Sequence, residues 1–291
     1  MATLAQQGTL PSARTEVRRR WLGRAIVTIS LTLLTLIWLL PIFASVLTSF
    51  RTMDDITING FWSLPEQFTL DKFSEAWKAA RIRQYLLNSF IITIPSLAGM
   101  LFLSSLSAYS LSRFKFRGNL FMYFMYVAGT MLPFQILLLP VFRLTNRLGL
   151  YDTYGALILI HTAFQLGFCT FVLRNFMRTV PGEILDAARV DGCSELRIYW
   201  QIMLPLSLPS LAALATLEFT WIFNDFVWAL ILLQSDSLKP VTAGLATLQG
   251  QYVTDWPLIT AGALLATLPT VFVFIFLQRY FIQGLTLGSG K

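Results

Sequence analysis

Residues 180–192 read VPGEILDAARVDG, and this polar stretch lies between two long apolar runs. Pro181 suits the first turn of a helix, where its missing N–H is not needed. Gly192 suits the left-handed residue that ends a helix. Glu183 and Asp186 favour the positive end of the helix dipole. The stretch therefore predicts a short helix, and because such helices are marginal in water, it needs a surface to pack against.

The chain around this stretch is far more apolar than a soluble domain. It has 291 residues, of which 55% are hydrophobic and 13% charged, whereas soluble domains have about 25% charged residues. A membrane-spanning helix needs about 20 mostly apolar residues. Six spans are predicted, at about residues 25–50, 86–112, 118–142, 154–176, 206–233 and 257–279. The predicted fold is an all-α polytopic membrane protein, with an N-terminal tail at 1–24 and a single transmembrane domain at 25–291.

The distribution of positive charge predicts the orientation of these spans. With the N-terminus in the cytoplasm, the cytoplasmic segments contain 14 Lys and Arg residues and the external segments contain eight. Positive residues concentrate on the cytoplasmic side of membrane proteins, so the N- and C-termini are both predicted to be cytoplasmic. The helix at 180–192, between spans 4 and 5, then also faces the cytoplasm. This placement accounts for the net charge of +7 without a nucleic-acid partner.

Neither a metal site nor an enzymatic site is predicted. The single histidine, His161, has no Cys/His cluster around it, and Cys169 and Cys193 are expected to be free thiols because one lies in a span and the other in a reducing compartment. The final residues, GSGK at 288–291, differ from a phosphate-binding loop because position 285 is Leu285 and no Ser or Thr follows the lysine. No catalytic residues and no bound cofactor are therefore expected.

Two features predict how the helices pack. The second span is rich in Gly, Ala and Ser between residues 96 and 108, and because small residues let helices approach closely in lipid, this span is predicted to be central. Pro133 and Pro140 in the third span and Pro269 in the sixth predict bends, since proline frees a carbonyl of the preceding turn.

Residues 186–192, DAARVDG, resemble the cytoplasmic loop through which permease subunits of ABC importers receive force from their ATPase. That loop has the pattern Glu-Ala-Ala, two residues, Asp-Gly; here Asp186 stands in place of the usual Glu and is shorter by one methylene. FNDF at 223–226 is similar to a Trp-Asn-Asp-Phe element of the carbohydrate-importer subfamily, and residues 278–288 resemble the tail of the maltose-transporter type. By this resemblance, the ATPase-coupling residues are Glu183, Asp186, Ala187, Ala188, Asp191 and Gly192.

The resemblance implies a permease subunit of a binding-protein-dependent ABC importer for sugars, in the bacterial cytoplasmic (inner) membrane. The implied partners are a second homologous permease subunit, a cytoplasmic ATPase dimer that holds ATP and Mg²⁺, and an extracytoplasmic solute-binding protein. The lipid bilayer surrounds the spans. ATP hydrolysis would reside in the partner ATPase and not in this chain.

Polar residues in the fifth span indicate a second site. Glu218, Trp221, Asp225 and Trp228 share one helix face because they are spaced by 3, 4 and 3 residues, and Asn224 lies beside them. Acidic residues within a membrane normally face a bundle interior or a watery cavity. Rings, carboxylates and amides also suit sugar binding, so these five residues are candidates for the translocation path or for substrate contact. An interhelical hydrogen-bond cluster is the structural alternative.

Three further alternatives stay open from the sequence. The polar helix at 180–192 could pack only against its own membrane domain. The importer could carry glycerol-3-phosphate or polyols. An ion-coupled secondary transporter could use Glu218 and Asp225 as proton carriers.

Overall fold

The structure, a computed structural model, describes residues 13–78, 81–248 and 254–286, with side chains from residue 21 to residue 278 of these ranges. These residues form helices joined by loops, with no strand among them. The first twelve residues of the predicted tail lie outside the described residues. So do residues 287–291, which include the GSGK end and the last part of the C-terminal resemblance.

The helices follow one another in four groups along the chain. The first group is α1 Ala13–Ser49, α2 Met53–Asn59, α3 Asp71–Lys78 and α4 Ile82–Arg113. The second is α5 Asn119–Thr130, α6 Phe134–Arg147 and α7 Tyr154–Thr179, followed by the short polar helix α8 Gly182–Val190. The third is α9 Glu195–Leu206, with a π-helical turn at Tyr199–Met203, then α10 Leu208–Phe223 and α11 Val227–Leu232. A 3₁₀ turn Asp236–Leu238, α12 Val241–Ala246 and α13 Trp256–Thr286 complete the described chain.

Four of these helices are long and apolar enough to cross a membrane: α1, α4, α7 and α13. Two consecutive pairs also qualify when each pair is taken together. They are α5 with α6, bent by 99°, and α9 with α10, bent by 70°. By length and composition, the described residues therefore contain four candidate spans, or up to six if each bent pair is one span.

The third predicted span, at 118–142, was expected to be one bent helix, and that expectation is wrong. Helix α5 ends at Thr130 and α6 begins at Phe134, after a turn that contains Pro133. The residue before a proline is disfavoured in the helical region of backbone space, and Pro133 itself is extended, with φ of −62° and ψ of 122°, so the helix ends before it. Pro140, by contrast, lies inside α6.

The fifth predicted span, at 206–233, is also not a single helix. Helix α10 ends at Phe223, and α11 starts only at Val227. The interruption contains Asn224 and Asp225, whereas Glu218, the other acidic residue of the segment, lies within α10. Helix α1 begins at Ala13, within the residues predicted as a tail, and its apolar part runs from Trp21 to Ser49.

Helix α4 lies at the centre of the bundle, as its small residues predicted, and it packs against α7, α10, α12 and α13. Ser96, Ser104 and Ser105 are all buried in it. Near its start, Tyr154 of α7 donates a hydrogen bond of 2.8 Å to Asn88 Oδ1. Near its end, Arg113 donates to main-chain carbonyls at the end of α7. Helices α4 and α7 therefore run in the same direction, and residues 114–153 must return along the full length of the bundle.

The loop between α1 and α4 is organised by one guanidinium group. Arg51, only 1% exposed, donates from Nε to Asp55 Oδ2 at 2.7 Å and from Nη2 to Ser63 Oγ at 2.7 Å. It also donates to the carbonyl oxygens of Gly60 and Phe61 at 3.1 and 3.2 Å. The buried Arg51 guanidinium is therefore paired with a carboxylate, and its N–H groups have hydrogen-bond acceptors. Its hydrogen bond lowers the pKa of Asp55 to about 2.

Candidate functional site

Helix α8 has defined ends, as the sequence predicted. Pro181 is the residue that precedes its first turn, and Gly192 follows it with φ of +80°. The N–H of Cys193 donates to the carbonyl of Ala188, and the N–H of Gly192 donates to that of Arg189, both at 3.0 Å. This pair of bonds is a Schellman motif, which satisfies the last carbonyls of a helix and requires a left-handed residue. Gly192 therefore ends α8 through its backbone conformation.

Only a narrow side of α8 packs against the membrane domain. Leu185 and Ala188 are buried in a cluster with residues of α4, α7 and α9. Ile184, next to Leu185 in sequence, is 43% exposed. The other predicted coupling residues are exposed to solvent: Glu183, Asp186, Ala187, Asp191 and Gly192. One side of α8 therefore packs on the membrane domain, and its other side is an exposed acidic surface.

The charges of α8 form a small network with the start of α9. Arg189 donates to Asp186 Oδ1 at 2.6 Å and to Glu195 Oε1 at 2.7 Å. The hydrogen bond from Arg189 lowers the pKa of Glu195, and a hydrogen bond from Tyr109 acts in the same direction. Exposed pairs such as Arg189–Asp186 contribute little to stability. They do, however, hold the Asp186 carboxylate close to its own helix.

The residues predicted to line one face of the fifth span point in different directions. Trp221 is 65% exposed and Asn224 is exposed as well, whereas Glu218 is 2% exposed. Because α10 ends at Phe223, the helical spacing does not continue to Asp225 and Trp228. The prediction that these residues form a single stripe is therefore wrong. Of the five, Trp221 and Asn224 are exposed.

Asp225 caps the helix that follows the interruption. Its carboxylate accepts hydrogen bonds from the backbone N–H of Trp228 at 3.4 Å and of Ala229 at 3.2 Å. Acidic side chains stabilise a helix N-terminus by satisfying free N–H groups and by opposing the helix dipole. Thr242 also donates to the Asp225 carbonyl. These contacts explain why an acidic residue lies at this depth.

Two interior contacts were missed in the sequence. His161 places Nε2 3.8 Å from Asp225 Oδ2. The Cys169 thiol lies 3.8 Å from Glu218 Oε1, and Glu218 Oε2 has no hydrogen-bond partner among the residues that the structure describes. These pairs are separated by 64 and 49 residues along the chain, so no local pattern signals them.

Trp228 belongs to an aromatic cluster of the interior. Its ring centroid lies 5.2 Å from that of Phe164 and 6.2 Å from that of Phe134. Aromatic pairs at these separations stabilise cores beyond the area that they bury. In this chain, Trp228 holds α11 against α6 and α7 and is not available on the surface.

Long apolar helices around a central α4, with a capped polar helix at one end of the bundle, define a multi-pass membrane protein. Residues 85–287 match the family described as "Binding-protein-dependent transport system inner membrane component". The match covers more than half of the chain, and the protein belongs to this family.

Relatives along nearly the whole chain agree with this assignment. The probable ABC transporter permease protein YurM of Bacillus subtilis (strain 168) is 34% identical over 277 residues, which cover 94% of this chain and 91% of the relative. The arabinooligosaccharides transport system permease protein AraQ of Halalkalibacterium halodurans is 37% identical over 269 residues, covering 91% and 96%. The first of these similar proteins is named a probable ABC transporter permease, and the second a permease of a transport system.

A solved structure shares the fold. A chain of a bacterial ABC transporter involved in the import of the acidic polysaccharide alginate superposes with a TM-score of 0.81 at 20% identity, covering 94% of this chain and all of that one. At this level of identity the likeness concerns the fold alone. It shows that this chain shares the fold of that transporter chain over 94% of its length.

Proposed function

We propose that this chain is a permease subunit of a binding-protein-dependent ABC importer for sugars in the bacterial cytoplasmic (inner) membrane. The names of its relatives support a sugar: besides AraQ, an alpha-glucoside transport system permease protein of Rhizobium meliloti is 36% identical, and the melibiose/raffinose/stachyose import permease of Bacillus subtilis is 30% identical. The chain itself performs no chemistry in this proposal. A partner ATPase binds Mg²⁺ and ATP and hydrolyses the nucleotide.

We propose six crossings within one transmembrane domain at 25–291, with both termini in the cytoplasm. The same direction of α4 and α7 supports counting α5 and α6 as one crossing. Phe223, at the end of α10, makes an edge-to-face contact with Phe90 near the start of α4, with ring centroids 5.3 Å apart, which supports an opposite direction for α10. Lys72 pairs with Asp255 at 2.6 Å, just before α13, and so supports a final crossing that returns to the side of α8.

The proposal rests on one observation: α8 has well-defined ends and an exposed acidic side. Glu183, Asp186, Ala187 and Asp191 would contact a cleft of the ATPase, while Ala188 supports the helix from the bundle and Gly192 ends it. Small alanine side chains let the backbone approach a partner closely. ATP-driven closure of the ATPase dimer would then move α8, and the bundle would change its access from one side of the membrane to the other.

We propose that the translocation path runs along the outer surface of α10, between this chain and a second homologous permease. Trp221 and Asn224 are candidates to line it, because both are exposed at the depth where the fifth span is interrupted. Glu218, Asp225 and Trp228 would shape the path from behind. An extracytoplasmic solute-binding protein would deliver the solute; the alginate transporter has been solved in complex with its periplasmic protein, and its chain superposes on this one with a TM-score of 0.67 at 16% identity.

The test is reconstitution of the complete importer from the host genome, followed by ATP-dependent uptake of melibiose, raffinose, stachyose, arabinooligosaccharides and glycerol-3-phosphate in proteoliposomes. Gly192→Val should abolish uptake because a β-branched residue is strained at positive φ. Gly192→Asn should retain most of the uptake because Asn tolerates the left-handed region. Gly182→Ala is the matched control, since a Cβ there meets no atom within 4 Å and the residue has no positive φ.

Uptake that proceeds without an ATPase and follows a proton gradient would refute the proposal and favour the secondary transporter. Uptake of glycerol-3-phosphate or a polyol instead of the sugars would keep the importer and correct its solute. The second outcome has some support, because the osmoprotective compounds uptake permease protein GgtD of Synechocystis is 32% identical.

A further inference from the structure

The last turn of α4 contacts the entrance of α8. Arg113 Nη2 donates a hydrogen bond of 2.8 Å to the carbonyl of Val180, the residue between α7 and α8, and a second, shorter one to the carbonyl of Met177. These carbonyls belong to the end of α7, where a basic side chain is also favoured by the helix dipole. Arg113 thus joins α4 to the point at which the chain turns into α8.

The same face of α4 contacts the exit of α8. Tyr109, four residues before Arg113 and on the same side of the helix, donates a hydrogen bond of 2.8 Å to Glu195 Oε2 at the start of α9. The other oxygen of that carboxylate accepts from Arg189 of α8 at 2.7 Å. The Glu195 carboxylate therefore links Arg189 of α8 to Tyr109 of α4, although Tyr109 and Glu195 are 86 residues apart in sequence.

The backbone on either side of α8 does not fix the position of this helix as firmly as these side-chain contacts do. Val180 is extended, with φ of −68° and ψ of 126°, and residues 191–194 form a turn before α9. A helix between two non-helical junctions can pivot about them. The contacts with α4 remove this freedom, because they lie at both ends of α8 while Leu185 and Ala188 pack in the same cluster as Tyr109.

We propose that the last turn of α4 receives the displacement of α8, with Tyr109 and Arg113 as positioning residues. This inference rests on the proposed function. Because α4 packs against α7, α10, α12 and α13, movement of its cytoplasmic end would reach both the paired α7 and the candidate path on α10. The exposed Arg189–Asp186 pair lies within α8 and transmits nothing by itself.

The experiment measures solute transported per ATP hydrolysed by the complete importer in proteoliposomes, with the sugar of the panel above that gives uptake. Tyr109→Phe removes one hydroxyl and keeps the ring. We expect ATP hydrolysis to stay within twofold of wild type, while uptake per ATP falls about tenfold, the factor that one charge-assisted hydrogen bond contributes to an equilibrium. Glu195→Gln keeps an acceptor for Tyr109 and should fall less than Glu195→Ala.

Tyr126→Phe is the control, because the Tyr126 hydroxyl also contacts α4, at Ser107 Oγ and 3.3 Å, but on a path that does not lead to α8. Equal uptake per ATP in Tyr109→Phe and wild type, or an equal fall in both tyrosine variants, would overturn the inference while Gly192→Val still tests the proposed function. An ATPase that does not assemble with the wild-type chain would overturn the proposed function and this inference together.

Discussion

Gly167 determines how closely α5 can approach α7. A Cβ atom at this position would lie 2.7 Å from the carbonyl oxygen of Tyr126 and 3.1 Å from Thr130 Cγ2. The first of these atoms belongs to the backbone of α5, so it cannot rotate away as a side chain could. Gly167→Ala should therefore push α5 away from α7, although alanine is the better helix former by about 1 kcal/mol.

The expected cost is that of overpacking, about 1–3 kcal/mol. For a domain of about 150–250 residues this corresponds to a fall of about 2–12 °C in Tm. Gly129→Ala is the matched control on α5, because a Cβ there meets no atom within 4 Å. It should leave Tm unchanged or raise it.

The assay can use a native reporter. Cys169 is fully buried on α7 and Cys193 is partly exposed, and neither forms a disulfide. In a Cys193→Ser background, a thiol-reactive fluorophore should label Cys169 only when the bundle opens on heating. If Gly167→Ala and Gly129→Ala gave the same labelling temperature, the close contact between α5 and α7 would be refuted.

Three further predictions concern polar groups. Asp225→Ala should lower Tm because the N–H groups of Trp228 and Ala229 lose their acceptor, at a cost of about 0.5–2 kcal/mol for a lost cap. Asp225→Asn should retain most of the wild-type stability. An Asn variant as unstable as the Ala variant would contradict the capping role. Arg51→Met should expose the loop between α1 and α4 to limited proteolysis, since the carbonyls that Arg51 satisfies lose their donor; an intact loop would contradict this. Asp55→Asn should lower Tm above pH 4. The Asp55 carboxyl has a pKa of about 2 in the folded protein and an ordinary value of 3.8, so it stabilises the fold above pH 3.8 and loses most of this effect as the pH falls to 2. A difference in Tm between variant and wild type that keeps its full size at pH 2 would contradict the pairing.

Features that depend on adjacent residues were predictable from the sequence. Pro181 and Gly192 are eleven residues apart and carry the whole signal for the ends of α8, because proline and glycine restrict or permit particular backbone angles. The central position of α4 followed from its small side chains. Apolar composition likewise located the long helices α1, α4, α7 and α13.

The interruption of the fifth span was visible but misread. Asn224 and Asp225 were interpreted as part of a helical stripe, although both residue types are common where one helix ends and the next begins. Hydrophobic content continues on both sides, so composition does not reveal the break. The pairing of Tyr109 with Glu195 was not predictable at all, since it depends on the packing of α4 against residues far along the chain.

The guanidinium of Arg51 has a consequence for any macromolecule that meets the surface of the loop between α1 and α4. It closes the loop from Asp55 to Ser63 on itself and leaves large side chains such as Trp62 and Leu64 pointing outward. A prearranged surface forfeits less conformational entropy upon association than a flexible one. A macromolecule that binds this surface would therefore lose little binding free energy to the ordering of the loop. Replacement of the buried Arg51 would weaken such binding, although Arg51 itself contacts no atom of the partner.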